Sequence, residues 1–198
     1  RDLHKGIRLA RSAGNDALVG YAYLQLGNCS LEEVQEDSAL LYLRKSYSIL
    51  RDSPDSITLS KLYRNLSAVH GQRYQPYSQQ FYLDKAIHIR RAIGNPGLLA
   101  EALALKANIS LRNGDYIVAE SILREARQLA ESSTIDGETR HDIKHLSAML
   151  DLHQGKFDEG LELFDSARSY YFSKGLFRKY VTLVIGMGRL FRERGRYE

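Results

Sequence analysis

A small residue returns along this chain at an almost constant interval. Gly27, Ser67, Ala107, Ala148 and Gly188 are separated by 40, 40, 41 and 40 residues. A second series, Gly6, Ser46, Ala86, Ala126 and Ala167, keeps the same phase with steps of 40, 40, 40 and 41. Large side chains flank the second series: Leu3, Leu43, Leu83, Leu123 and Phe164 before it, and Leu9, Ile49, Ile89, Leu129 and Tyr170 after it. Two series in one phase leave few folds open. Each period is one structural unit, and the units stack.

The large–small–large spacing, three residues each way, puts all three side chains on one helix face. Helices approach to roughly 8–10 Å only where the residues at their crossing are small and large neighbours fill the flanking grooves. The stretch 105–129, LKANISLRNGDYIVAESILREARQL, shows a whole unit: two helical segments around the turn Asn113-Gly114-Asp115. The prediction is an all-α chain of antiparallel helical hairpins forming one solenoid. Its divisions are a half hairpin at 1–13, hairpins at 16–52, 56–93, 96–132 and 137–173, and a half hairpin at 176–198. Gly14-Asn15-Asp16, residues 52–56, Asn95-Pro96, Thr134 to Gly137 and Ser173-Lys174-Gly175 mark the breaks between hairpins. Proline at an early helical position costs nothing, since its missing N–H is unpaired there anyway. The first helix of the second hairpin is expected to run from Asp16 to about Asn28. The turns LEEVQED (31–37) and GQRYQPY (71–77) lack the Gly-Asp-Tyr form; the first is expected to be irregular, the second interrupted by Pro76.

Ala107, Gly114, Tyr116, Ala119, Leu123 and Ala126 fall where a tetratricopeptide (TPR) repeat keeps its signature residues. The chain resembles an array of TPR hairpins with long repeats, similar to those of bacterial regulators such as the large ATP-dependent LuxR-type activators. That resemblance implies a right-handed superhelix and a binding scaffold. It also implies that the first helix of each hairpin lines a concave groove. Projected onto this sequence, the groove residues are Tyr21, Leu24, Gln25 and Asn28; Lys61, Arg64, Asn65 and Ala68; Glu101, Ala104, Leu105 and Asn108; Asp142, His145 and Met149; and Thr182, Ile185, Arg189 and Arg192. Chaperone-binding relatives grip a C-terminal carboxylate with two asparagines and three cationic residues. Asn28 and Asn65 match the asparagines, but Leu24, Glu101 and Leu105 stand where cations are needed, so that clamp is not expected.

With 43% hydrophobic and 26% charged residues the chain has the makeup of a soluble folded protein. No run approaches the roughly eighteen apolar residues of a membrane span, and no signal peptide is seen. The opening RDLHKG is polar and lacks Met, which leads us to expect a fragment of a larger protein, cytoplasmic in location. The single cysteine, Cys29, is expected to be a small buried hydrophobe. The apolar ends, Leu3, Ile7 and Leu9, and Val184, Leu190 and Phe191, are expected to be exposed and to promote self-association.

No phosphate-binding loop, zinc motif or nucleophile elbow occurs. No catalytic, cofactor or metal site is expected, and the chain is not expected to be an enzyme. His141 and His145, four apart, share a helix face and could chelate a metal with Asp142 or His153; two solvated histidines are the reading preferred here. Gly186-Met187-Gly188 reads as packing glycine. Arg178, Lys179, Arg189, Arg192, Arg194 and Arg196, in a chain of net charge +4, raise nucleic-acid binding. Glu193 and Glu198 interrupt the cluster, so a solvated or partner-facing hairpin is expected instead. Tyr42, Tyr47, Tyr63, Tyr82, Tyr116 and Tyr170 sit at repeat positions and are expected to be mostly core. The resulting expectation is a protein–protein interaction module of a signalling or transcription-regulatory protein. The alternative is an effector-sensing domain of a transcriptional activator.

Overall fold

The computed structural model describes residues 2–131 and 135–193, without the side chain of Glu193. Thr134, Arg194, Arg196 and Glu198, which entered the sequence reading, lie outside the described residues. These contain ten α-helices and no strand: α1 (Asp2–Ser12), α2 (Asp16–Glu32), α3 (Glu36–Leu50), α4 (Ser56–Gln72), α5 (Pro76–Ile93), α6 (Pro96–Asn113), α7 (Tyr116–Ala130), α8 (Gly137–His153), α9 (Phe157–Ser173) and α10 (Phe177–Glu193). The fold is all-α, and the helices pack in consecutive pairs, as a helical repeat requires. Two compact units are formed, residues 1–95 and 96–198. Among the described residues every helix break except that at 154–156 falls at a turn marked in the sequence.

The helix starts repeat. Asn15 accepts the N–H of Leu18 at 3.0 Å, Asp55 that of Thr58 at 3.0 Å, and Asp136 that of Thr139 at 2.8 Å. Each satisfies an N–H that has no partner within its helix. The Thr58 hydroxyl and N–H hold the Asp55 carboxyl below its ordinary range.

The turns within hairpins repeat even more closely. Gln35 N–H bonds Ser30 C=O, Gln75 bonds His70, Asp115 bonds Ser110, and Lys156 bonds Asp151, all at 2.8–2.9 Å. This is the six-to-one bond of a Schellman ending, which needs one residue in the left-handed region. Gly114 (φ 80°) and Gly155 (φ 83°) take that place in two turns; Val34 (φ 58°) and Tyr74 (φ 55°) take it in the other two. The expected irregularity at 31–37 is therefore absent. α2 runs through Asn28 to Glu32, and Pro76 is the first residue of α5 and interrupts nothing.

In unit 1, α2 pairs with α3 and α4 with α5, while α2 and α4 also touch each other. Leu24, Ala39, Leu43, Leu50, Leu62, Leu66 and Val69 form its main core, and Ile7, Ala10, Val19, Ala22 and Tyr23 a second one beneath α1. Burying each leucine contributes roughly 1.5–3 kcal/mol. Small residues do at the crossings what the spacing predicts: Ser46, Ser67 and Ala86 are wholly buried. The Ser46 hydroxyl donates to Gly20 C=O across the α2–α3 crossing at 2.9 Å.

In unit 2, α6 pairs with α7 and α8 with α9, with α8 also touching α6, α7 and α10. Ala107, Ala126, Ala148 and Ala167 are wholly buried at its crossings. Gly6 and Gly188 differ from the rest of their series: a side chain built on either would meet nothing within 4 Å. Gly188 is thus not a packing glycine, and a Cβ built on Gly186 would meet Met149 at an ordinary contact distance of 3.5 Å.

Other expectations change. Cys29 is exposed, because α2 turns its neighbours Gly27 and Ser30 inward instead. Ile7 and Leu190 are buried, Ile7 on Val19 and Tyr23 and Leu190 beside Leu152 and Met187, while Leu9 and Val184 are exposed. Most of the repeat tyrosines line the core without being enclosed in it. Tyr42, Tyr63, Tyr82 and Tyr170 are half-buried and Tyr47 and Tyr116 exposed; the fully packed rings are Tyr23 and Tyr171. Tyr47 lies against Tyr63 and Tyr63 against Tyr82, each pair with ring centroids 6.1 Å apart. None of the described helices is long and apolar enough to cross a membrane.

Candidate interaction surface

The projected groove residues divide between the two units. In unit 1, Tyr21 and Lys61 are exposed, and Gln25, Asn28, Arg64 and Ala68 are half-buried. They lie on α2 and α4, which touch each other, and include an aromatic ring, amides and cations. Asn28 Nδ2 donates to Glu32 Oε1 at 3.2 Å, which holds its amide in place. Leu24 and Asn65 do not belong to this surface. Leu24 is 2% exposed and packs in the main core, and Asn65 is 4% exposed. The two helices keep one phase, with Gly20, Ala22, Gly27 and Ser30 matched by buried Ser60, Leu62, Ser67 and His70, but α2 buries Leu24 and leaves Gln25 partly open where α4 buries Asn65 and leaves Arg64 partly open. The sequence stripe treats the two helices as equivalent, but their neighbours differ.

In unit 2, Glu101, Leu105 and Met149 are half-buried, Ala104 is buried, and Asn108, Thr182, Ile185, Arg189 and Arg192 are exposed. Asp142 and His145 are engaged inside a polar network between α8, α9 and α10. Tyr171 Oη donates to Asp142 Oδ1 at 2.7 Å, and the Lys179 ammonium reaches both Asp142 oxygens at 2.6–2.7 Å and Glu138 at 2.8 Å. Burial pushes the Tyr171 hydroxyl far up, with Asp142 adding to the effect. For Lys179 burial works the other way, but its bonds to Asp142 and Glu138 win and raise it. A half-buried carboxylate and ammonium and a buried phenol satisfy one another here, which offsets the cost of taking them partly out of water.

His145 borders this network, its ring edge-on to Tyr171 with centroids 6.3 Å apart. Burial pushes its imidazole down to about 4; Asp142 opposes the shift and Lys179 reinforces it. His141 stacks flat on Tyr170 at 3.9 Å, and its Nδ1 lies 2.7 Å from Gly137 C=O. Neither histidine is a solvated side chain, contrary to expectation. Among the described residues, no group of three His, Cys, Asp or Glu side chains is arranged to hold a metal ion. Of the basic cluster, Lys179 is committed to Asp142 and Glu138, while Arg178, Arg189 and Arg192 are exposed.

One feature gave no signal in the sequence. An open cleft of ≈ 220 Å³ lies between α7 and α8, lined by Glu120, Arg124, Arg127, Asp151, Gln154 and Lys156 among others. Part of its polar wall is internally bonded: Arg127 donates to Asp151 at 3.0 Å and to Ser147 at 2.7 Å, and Gln154 donates to Glu120 at 2.9 Å. Partners 20 to 34 positions apart in the chain leave no local motif.

The fold and these surfaces define an all-helical protein of paired helices, compatible with a helical repeat. No known protein-family model matches the chain, and no curated protein sequence matches it.

Proposed function

We propose that this chain is a TPR-like binding scaffold that presents the α2–α4 face of unit 1 to a peptide or partner domain, within a signalling or transcription-regulatory protein. One observation carries the reading. The helices use their inward faces for stacking, yet two adjoining helices keep Tyr21, Gln25, Asn28, Lys61 and Arg64 at least partly open. Aromatic rings, amides and cations are the side chains that bind an extended peptide. Amides pair with its backbone, rings cover apolar side chains, and cations meet carboxylates.

The test is selection of peptides from a displayed random library, followed by calorimetric titration. The triple variant Tyr21→Ala, Gln25→Ala, Lys61→Ala should weaken binding at least about tenfold, or 1.4 kcal/mol, with an unchanged melting temperature. Selected peptides that bind the variant as tightly as the parent chain would place recognition elsewhere.

A further inference from the structure

A second surface of unit 1, at the turns instead of the helix faces, has a chemistry of its own. The turns 33–35 and 73–75 lie together. Arg73 Nη1 is 2.6 Å from Asp37 Oδ1, and Gln72 Nε2 donates to Leu31 C=O at 3.3 Å. Large side chains project from this edge into solvent: Val34 at 64% exposure, Tyr74 at 90% and Tyr77 at 92%, with Phe81 and Leu41 more than half exposed. Tyr77 and Phe81, four apart on α5, share a face. Val34 and Tyr74 also hold the left-handed backbone that the equivalent turns of unit 2 assign to glycine. Nothing in the stacking of helices asks for tyrosine at such a place.

The charges around the edge select its occupant. Glu32, Glu33, Glu36 and Asp37 put four carboxylates into the stretch 31–37, which has no cation. Asp37 is bridged to Arg73, and Glu32 accepts from the neutral Asn28 amide. Phosphates of nucleic acid and anionic lipid headgroups are repelled by such a rim. A guanidinium is favoured twice, by the carboxylates and by the open faces of Tyr74 and Tyr77, over which cations are attracted by the ring quadrupole. The edge already shows this preference on its own ring: the Lys85 ammonium sits 5.5 Å above Phe81.

We propose that the edge formed by Val34, Tyr74, Tyr77 and Phe81, rimmed by Glu33 and Glu36, binds a basic peptide segment in which arginines alternate with apolar residues. Arginines stack on the tyrosines and pair with the rim, while the apolar residues cover Val34 and Phe81. This surface is separate from the α2–α4 face, and either can fail without the other.

The test uses a fluorescein-labelled peptide of alternating arginine and leucine, with lysine–leucine and glutamate–leucine counterparts, followed by anisotropy. The arginine peptide should bind the parent chain more tightly than the lysine peptide, and the glutamate peptide should not bind. Tyr74→Gly with Tyr77→Ala should weaken binding roughly tenfold or more, and Glu33→Gln with Glu36→Gln should weaken it and flatten its salt dependence. Ile117→Ala, at the matching turn of unit 2, should change neither. Melting curves accompany each variant, and Tyr77→Ser alone serves if the double variant unfolds. The proposal is overturned if no peptide binds saturably, if the glutamate peptide binds equally, or if the aromatic variants bind as the parent does. Sedimentation showing a dimer of the chain that these variants dissolve would also overturn it, by making a second copy the occupant.

Discussion

Gly27 meets Leu43 so closely that a Cβ built on the glycine would lie 2.7 Å from the leucine side chain. Leu43 is wholly buried at the α2–α3 crossing and has little room to retreat. Gly27→Ala should therefore destabilise the chain by about 1–3 kcal/mol, the usual cost of overpacking. Gly188, its counterpart in the same sequence series, faces open space. Gly188→Ala should stabilise by up to about 1 kcal/mol, the helix-propensity difference alone. Urea unfolding of the two variants checks the contrast, and equal effects would count against the packing described.

Val34 occupies a backbone position that costs an L-residue roughly 1–2 kcal/mol. Glycine escapes that strain but loses about 0.5–1 kcal/mol of chain entropy on folding. Val34→Gly should thus raise stability by about 0.5–1 kcal/mol, and Gly114→Val should lower it by at least as much. A lower denaturation midpoint for Val34→Gly would mean that the exposed valine makes a stabilising contact.

His145 makes stability depend on pH. Its folded pKa, about 4, lies below the ordinary 6.5. Between those values the unfolded chain binds more protons, so stability rises with pH across the window and is lost as pH falls from about 6.5 towards about 4. The full shift corresponds to about 3 kcal/mol. His145→Gln removes this titration. The difference in unfolding free energy between wild type and variant should therefore move by about 2–3 kcal/mol against wild type between neutral pH and pH near 4.5. A difference that stays constant would show that His145 is hydrated.

Leu24 and Gln25 are adjacent in the sequence but serve different purposes. Leu24→Ala should cost about 2–5 kcal/mol, as core leucine truncations do. Gln25→Ala should fall within about 0.5 kcal/mol of wild type. Thermal melts separate the two readily, and a mild Leu24→Ala would return that residue to the open face.

How far the sequence could be read follows from the range of each interaction. Helix starts at Asn15, Asp55 and Asp136 bond residues three positions ahead, and the Schellman turns close over five, so a short window contains the whole cause. The crossings were legible for a different reason: a repeat shows the same demand several times, and one small residue in phase with four others is a signal. The turns at Val34 and Tyr74 escaped because the backbone bond defines the turn, and glycine is only its cheapest occupant.

By itself the sequence determined the all-helical content, the order of helices, the positions of their breaks and the small residues at the crossings, since these depend on contacts that are local or repeated. Tertiary structure alone decided which side of that pattern faces inward at each place. It enclosed Leu24 and Asn65, left Cys29 and Gly188 outside, and drew Asp142, Tyr171 and Lys179 into one network from three helices. A helix face has no inside until its neighbour is present, and for these residues the neighbour comes from a distant part of the chain.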